Sequence, residues 1–348
     1  MKQSIFLLVI VLILAAAIPA AADFSLNASD YASAADAVSA IPADAGEVTF
    51  YFDSSCEWSD SLTIPKNKGI TSLRMVPADG VEKASVPSLK SIFADGVPLT
   101  IGAGMVMNET SVYGGVYSEK ECVMTPATSV TCAGAVGYIF GGSLSEDSGC
   151  AEVENAAVVI EPGGIVYYEV FGGGHAAGEG AVSNVGTASV THAGSSDYVL
   201  GGGFAEYGGN VSVTQANVTV TEEGSVEVAL FAGGSAVDEG SLSTVTNSLA
   251  ILNGRANWAF PGDFAFGAGE TRTEEAGRLE ISATGTAGSA FIGSFASDEG
   301  TYALIDTAEL QNCGTVDTII SHSQSTDGGN AETLNAAHFQ CESIVSSP

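Results

Sequence analysis

The side chains of this sequence best suited to chemistry fall into a few sets, each with a chemical use and a plainer account. Arg255, Arg272 and Arg278 lie close in sequence to Glu270, Glu274 and Glu275. Bases beside carboxylates suit metal-assisted proton abstraction, but pairing of exposed charges accounts for this cluster better. Four histidines are present. His175 and His192 are too far apart along the chain for a metal motif, and His322 and His338 fall near the C-terminus. Isolated polar side chains at turns are expected there. Acidic residues recur in phase, at Glu146-Asp147, Glu179, Asp238-Glu239, Glu270, Asp298-Glu299 and Asp327. A solvated turn edge is the simpler reading, since like charges about 5 Å apart repel by only roughly 0.8 kcal/mol in water. The sharper one is Ca²⁺ bridging successive units, with Asp238, Glu239, Asp298 and Glu299 as the metal candidates. No catalytic set and no other cofactor is indicated.

These residues are carried on a repeat. Gly104, Gly134, Gly164, Gly194, Gly224, Gly254, Gly285 and Gly314 recur at a near-constant interval of about 30 residues, within the range of solenoid repeats. A second set follows apolar runs in the same phase, as in Tyr138 to Gly142, Val170 to Gly173 and Val199 to Gly202. A unit repeated at fixed length buries its apolar face on its neighbours, so the chain is a solenoid. Each unit holds three short β-rich runs, for example Val226 to Phe231, Leu242 to Val245 and Leu249 to Leu252, separated by turn formers. An all-β, three-sided parallel β-helix follows, with coils about 4.8 Å apart and a rod on the order of 40 Å for eight coils. The glycine columns serve positive φ or tight corners where coils stack. GxG strings such as Gly172-Gly173-Gly174 are not nucleotide fingerprints, because no helix follows and the motif recurs.

Lys2, the apolar run Ile5 to Ile18 and Ala20-Ala21-Ala22 form a secretory signal peptide over residues 1–22. Residues 23–45 are expected to cap the solenoid with a short helix begun by Asp30. Residues 46–348 then form the β-helix, regular over about 100–320, with a C-terminal cap at 321–348. Export makes disulfides the expected state of the six cysteines. Cys122 and Cys150 share one spacing with Cys313 and Cys341. It falls just short of the repeat length, which stacks each pair on adjacent coils. Cys56 and Cys132 pair by elimination. Sequons at Asn27, Asn108, Asn210 and Asn217 are glycosylation candidates, the last two bracketing a strand and turn.

Charge excludes partners. The formal net charge is −31, or −32 once Lys2 leaves with the leader (9 Lys and Arg against 41 Asp and Glu), and no Lys or Arg occurs from Glu121 through Gly254. Nucleic acid and anionic membrane surfaces are thereby disfavoured. Tyr167, Tyr168, Phe171, Tyr198, Phe204 and Tyr207 are candidates for a local patch, an exposed subset of which would suit a sugar.

From about Val48 onward, and most clearly in Val170 to His175 and Val199 to Phe204, the chain resembles the right-handed parallel β-helix superfamily. Its members include pectate-lyase-like enzymes and glycine-rich, adhesin-like secreted or surface proteins. The resemblance implies a secreted or cell-surface binding and structural module without catalysis, whose partner is an extracellular glycan, a surface protein or copies of itself. A carbohydrate-active enzyme, lyase or hydrolase, is the alternative, and a self-associating envelope or sheath component is another. The central coils lack the Arg or Lys base of the lyases, and the paired aspartates and Gly-His-Gly of polygalacturonase-like members do not appear.

Overall fold

The computed structural model describes residues 22–341; the expected leader, save Ala22, lies outside them. Within the described residues the chain is an all-β parallel β-helix with three sheets of 12, 11 and 8 strands, here sheets A, B and C. One coil runs through Ser225–Phe231 in sheet B, Ser235–Val237 in sheet C and Leu242–Leu252 in sheet A. The two runs expected at Leu242 to Val245 and Leu249 to Leu252 are thus one strand, and the third side is a strand too short to show an alternation. Along the sheet A strands, burial follows the pleat with one slip, as in Val182–His192, where Ser183 and Val185, then Ala188, Val190 and His192, enter the core. Stacking converts that pattern into columns: Phe50, Met75, Ile101, Cys132, Ile160, His192, Val220, Leu252 and Ile281 lie one above another.

The repeat is two unlike coils. Sheet A strands begin at Cys122, Cys150, Val182, Asn210, Leu242, Glu270, Tyr302 and Asn330. A short step, as from Cys122 to Cys150, alternates strictly with a longer one, as from Cys150 to Val182. The longer step contains one extra residue in the sheet B strand Ile165–Phe171, compared with Ala135–Phe140. It also has longer connections on both sides, as residues 161–164 and 178–181 are against 193–194 and 207–209. Corner glycines hide this alternation, because the extra residues before and after sheet B fall in opposite coils when counted from corner to corner.

The corner glycines answer to close approach more than to φ. Gly194 has no positive φ, yet a Cβ there would stand 2.2 Å from the Gly164 carbonyl oxygen of the coil beneath. Left-handed residues gather instead in the turns from sheet C to sheet A, at Asp147, Tyr207, Asp238, Ala268, Asp298 and Asp327. The recurrent aspartates therefore have a backbone reason, since Asp tolerates that conformation better than most side chains.

At the N-terminal end, Ala22–Asn27 already pairs with Ala45–Phe52 in sheet A. Helix α1, Ala34–Ala40, follows. Its cap is Ser33, whose Oγ accepts from the Asp36 amide at 3.1 Å, and not Asp30, which belongs to a preceding 3-10 turn. Asp60 accepts from the amides of Ala34 and Ala35 and holds the same end. Ala34, Ala37 and Ile41 are buried, as is Trp58, which packs edge-on against Phe50 and Phe52. The helix thus covers core that the first coil would otherwise expose.

Cys122 and Cys150 are register partners and disulfide-bonded, with Cα atoms 4.3 Å apart, and Cys313 and Cys341 are bonded at 4.9 Å. The third expected pair does not form: Cys56 and Cys132 are both free and buried. Ser55 pairs with Ser85, Ser85 with Val106 and Val106 with Ala135, so Cys56 and the Cys132 corner are three coils apart. Three strand spacings are about 14 Å, beyond the reach of a disulfide. Mass spectrometry of unreduced peptides should find the 122–150 and 313–341 links, with Cys56 and Cys132 alkylated only after unfolding; a 56–132 link would break this register.

His192 is in the core of sheet A, not at a turn. It is fully buried, with Nε2 3.1 Å from the Ser225 carbonyl and 3.3 Å from Ser196 Oγ, and Nδ1 without a partner. Burial lowers its pKa to about 4. The folded state therefore resists a proton that the unfolded chain accepts below about 6.5, and stability falls as pH drops from there towards 4. Its column neighbours are Ile160 and Val220, so His192→Leu should be more stable than wild type at pH 5, by up to about 2 kcal/mol, with a smaller difference at pH 8. Denaturant titrations at both pH values check this, and equal differences would show that the imidazole does not titrate in this window.

Candidate functional site

Sheets B and C meet with their outer faces lined by side chains that form a second apolar cluster, separate from the main core. Two outward columns of sheet B supply one wall. Tyr113, Phe140, Phe171, Leu200, Phe231, Phe260 and Phe291 form the deeper column, and Tyr138, Glu169, Tyr198, Ala229, Trp258 and Ser289 the outer one. Sheet C supplies the other wall with Leu144, His175, Phe204, Ser235, Phe264 and Phe295. Rings stack up the deeper column, at 4.8 Å for Tyr113 on Phe140 and 4.9 Å for Phe140 on Phe171; Leu200 interrupts the ladder, which resumes at 4.5 Å for Phe231 on Phe260. Offset and stacked rings at such distances add to simple burial.

In the central coils this junction opens into a cleft of about 360 Å³, lined by Ser111, Tyr113, Tyr138, Phe140, Glu169, His175, Phe204, Glu206 and Phe266. His175 lies on a strand, between Leu144 and Phe204, and is buried among rings, 5.1 Å from both Phe140 and Phe204. Its Nε2 donates to Glu206 Oε1 at 3.0 Å, which leaves Nδ1 to accept from the buried Tyr113 hydroxyl at 3.1 Å. The chain of three groups fixes the imidazole's tautomer and orientation. Glu169, set between Tyr138 and Tyr198 in its column, makes no hydrogen bond among the described residues. Burial first, then the negative charges of Asp197 and Glu206, push its carboxyl up to about 7. Chemically the cleft offers aromatic faces, a fixed imidazole, and a carboxyl able to donate or accept near neutral pH.

The residues singled out from sequence are mostly elsewhere. Arg255 pairs with Glu227, Arg272 with Glu270, and Arg278 with Glu280 and Gln311, all as exposed pairs. Glu274 and Glu275 instead accept from Thr246 and Asn247. The arginine cluster is surface ion pairing, with no shared groove. Asp238-Glu239 and Asp298-Glu299 occupy equivalent turns two coils apart, with Gly267-Ala268 on the coil between, and Asp298 Oδ2 accepts from the Gly267 amide. Among the described residues no group of three or more His, Cys, Asp or Glu is placed to hold a metal. His322 and His338 are exposed on the last coil.

Of the sequons, Asn27 accepts from the Ser29 amide and donates to Asp53. Asn108 is exposed, and Asn210 and Asn217 share one strand, Asn210–Val220, with no turn between them. Of the expected aromatic patch, Tyr198, Phe171 and Phe204 belong to the junction cluster, while Tyr167, Tyr168 and Tyr207 are exposed. Tyr168 stacks on Tyr138 at 4.8 Å. Glu169 and Glu206 are not singled out by sequence, although one signal is present: three residues before each corner stand Tyr138, Glu169, Tyr198, Ala229, Trp258 and Ser289, and one of these is an acid.

The fold and its cleft define a class, the parallel β-solenoids with an outward groove between two sheets. No family model matches the chain, and no match is found among curated proteins or solved structures.

Proposed function

We propose that the protein is an exported, adhesin-like β-helix that holds an extracellular glycan in the groove between sheets B and C. The observation that carries this reading is the coincidence in one cleft of aromatic faces with oriented hydrogen-bonding groups, His175 and Glu206 among them. Sugars present both an apolar face and a ring of hydroxyls, so such a mixed lining suits them. Export is supported by two disulfides, and no helix among the described residues is long and apolar enough to cross a membrane. The acidity of the chain argues against nucleic acid and anionic lipid as partners. Kinship with the right-handed parallel β-helix superfamily is part of the same proposal.

A panel of polysaccharides, scored for retention and for product release in the same tubes, tests it. Retention of intact polymer is expected, weakened at least tenfold in Tyr168→Ala, whose ring is exposed beside the cleft. Retention nowhere in the panel would remove the glycan reading. Release of new chain ends would establish the second reading, a carbohydrate-active enzyme, and ends without a new double bond would make it a hydrolase. That reading is favoured by Glu169, a carboxyl raised to about 7 in the same cleft as Glu206, since acid and base roles require carboxyls with different environments.

A further inference from the structure

We propose that the cleft between sheets B and C selects a positively charged sugar, an amino sugar carrying a free ammonium, over neutral or N-acetylated ones. The inference rests on the glycan reading above and names the chemistry of its ligand.

Three observations carry it. First, Glu169 lines the cleft, is half-buried there, and makes no hydrogen bond among the described residues. A half-buried carboxyl without a protein partner keeps its acceptor capacity for a ligand, and an N–H donor with a positive charge meets it with a charge-assisted hydrogen bond. Second, the charges around it are of one sign. Asp197 and Glu206 act on Glu169, and no Lys or Arg occurs between Glu121 and Gly254 to oppose them. Glu206 already accepts from His175 through one oxygen, Oε1, so the cleft's hydrogen-bonding capacity is weighted towards acceptors. Third, the walls beside these carboxyls are rings: Tyr138 and Tyr198 flank Glu169 in its column, and Phe204 and Phe266 face it from sheet C. An ammonium is held by ring faces as well as by carboxylates, and the sugar body to which it is attached lies against the same rings. A neutral hydroxyl in that position gains neither the ion pair nor the ring attraction. The raised carboxyl of Glu169 agrees with this arrangement, because a bound cation would displace its proton. The groove's extension along the rod, with further exposed rings at Tyr168 and Trp258, favours a glycan over a single lysine side chain as the carrier of the ammonium.

Three tetrasaccharides with one linkage and different groups at C2 provide the test: β-1,4-linked glucosamine, N-acetylglucosamine and glucose. Calorimetry is done at about 150 mM salt, so that the protein's overall negative charge is screened. The glucosamine tetramer should bind at least tenfold more tightly than the other two. In Glu169→Gln, or in Glu206→Gln should the first not fold, that preference should shrink to threefold or less. Glu239→Gln, in an exposed turn from sheet C to sheet A, should leave it unchanged. Equal binding of all three tetramers would overturn the amino-sugar inference and leave the glycan reading standing. Binding of none of them, with polysaccharide retention also absent, would remove both. A lysine tetramer that binds as tightly as the glucosamine tetramer, or a preference that Glu239→Gln reduces as much as Glu169→Gln does, would also overturn it, as attraction of any cation to an acidic surface.

Discussion

Asp263→Asn should melt several degrees higher than the wild-type protein at pH 8, with the gain less than half as large at pH 5. Asp263 is fully buried at the corner between sheets B and C, in the column that holds Ser143, Gly174, Gly203, Gly234, Ser294 and Ser323. In that column a side-chain oxygen accepts from the backbone amide of the preceding coil: Ser143 from Val116, Ser294 from Asp263, Ser323 from Ser294. Asp263 does the same for Gly234 at 2.8 Å, and its other oxygen accepts from the Thr273 hydroxyl at 2.7 Å. No cation approaches it among the described ion pairs. Burial outweighs both hydrogen bonds and raises its pKa from 3.8 to about 7.

The sign follows from proton counts. Between pH 3.8 and about 7 the folded chain keeps a proton that the unfolded chain has lost, so stability declines as pH rises through that window and stays low above it. A shift of that size amounts to about 4 kcal/mol at pH 8 and less than about 2 kcal/mol at pH 5. Asparagine keeps the bond from Gly234 and carries no charge, though its amide asks the Thr273 hydroxyl to turn and accept, which returns about 1 kcal/mol. Melting curves of both proteins at pH 5 and 8 decide the matter. A gain that does not grow with pH would mean that Asp263 is neutral throughout or that water reaches it.

The architecture is legible in the sequence because a solenoid imposes the same steric demand at each corner, and the same residue type meets it each time. Two disulfides are legible for a related reason, since register partners on adjacent coils are one step apart, and the spacing common to both pairs is the shorter of the two real steps. The third pairing fails where the regular count fails: between Cys56 and Cys132 the coils are irregular, and elimination ignores how many of them intervene. His192 reads as a turn residue because it is polar in a chain rich in turns, whereas its column is set by strand register. The cleft is hidden for a different reason. Tyr113, Glu169, His175 and Glu206 are spread over successive coils and two sheets, and their proximity depends on which residues face outward. In sheet B that alternation is interrupted by an extra residue in Ile165–Phe171, which only the pairing of Glu169 with Tyr198 reveals.

Gly172→Ala should cost at least about 3 kcal/mol, and glycan retention should fall with it, while Gly163→Ala costs about 1 kcal/mol and leaves retention unchanged. The two glycines are close in sequence and fail for opposite reasons. Gly163 has φ +83° and nothing within 4 Å of the position a Cβ would take, so alanine there meets only the left-handed backbone penalty. Gly172 has an ordinary φ, but its Cβ would stand 2.5 Å from the Gly201 carbonyl oxygen and 3.2 Å from Ala188 Cβ and Val190 Cγ2. Backbone and core meet it from two sides, so no side chain can swing away. Relief requires separating two coils at a point where Gly172 donates to the Leu200 carbonyl at 2.9 Å, and strained packing of this kind costs several kcal/mol. Phe171 and His175 flank that corner, the first stacked beneath Phe140 of the cleft's lining and the second bonded to Tyr113 and Glu206, so a displaced coil moves both groups together. Denaturant unfolding and polysaccharide retention measured on the two variants separate the causes. Equal losses would mean that φ, and not the distance between coils, governs these corners, whereas the expected inequality ties the glycine column to the shape of the groove.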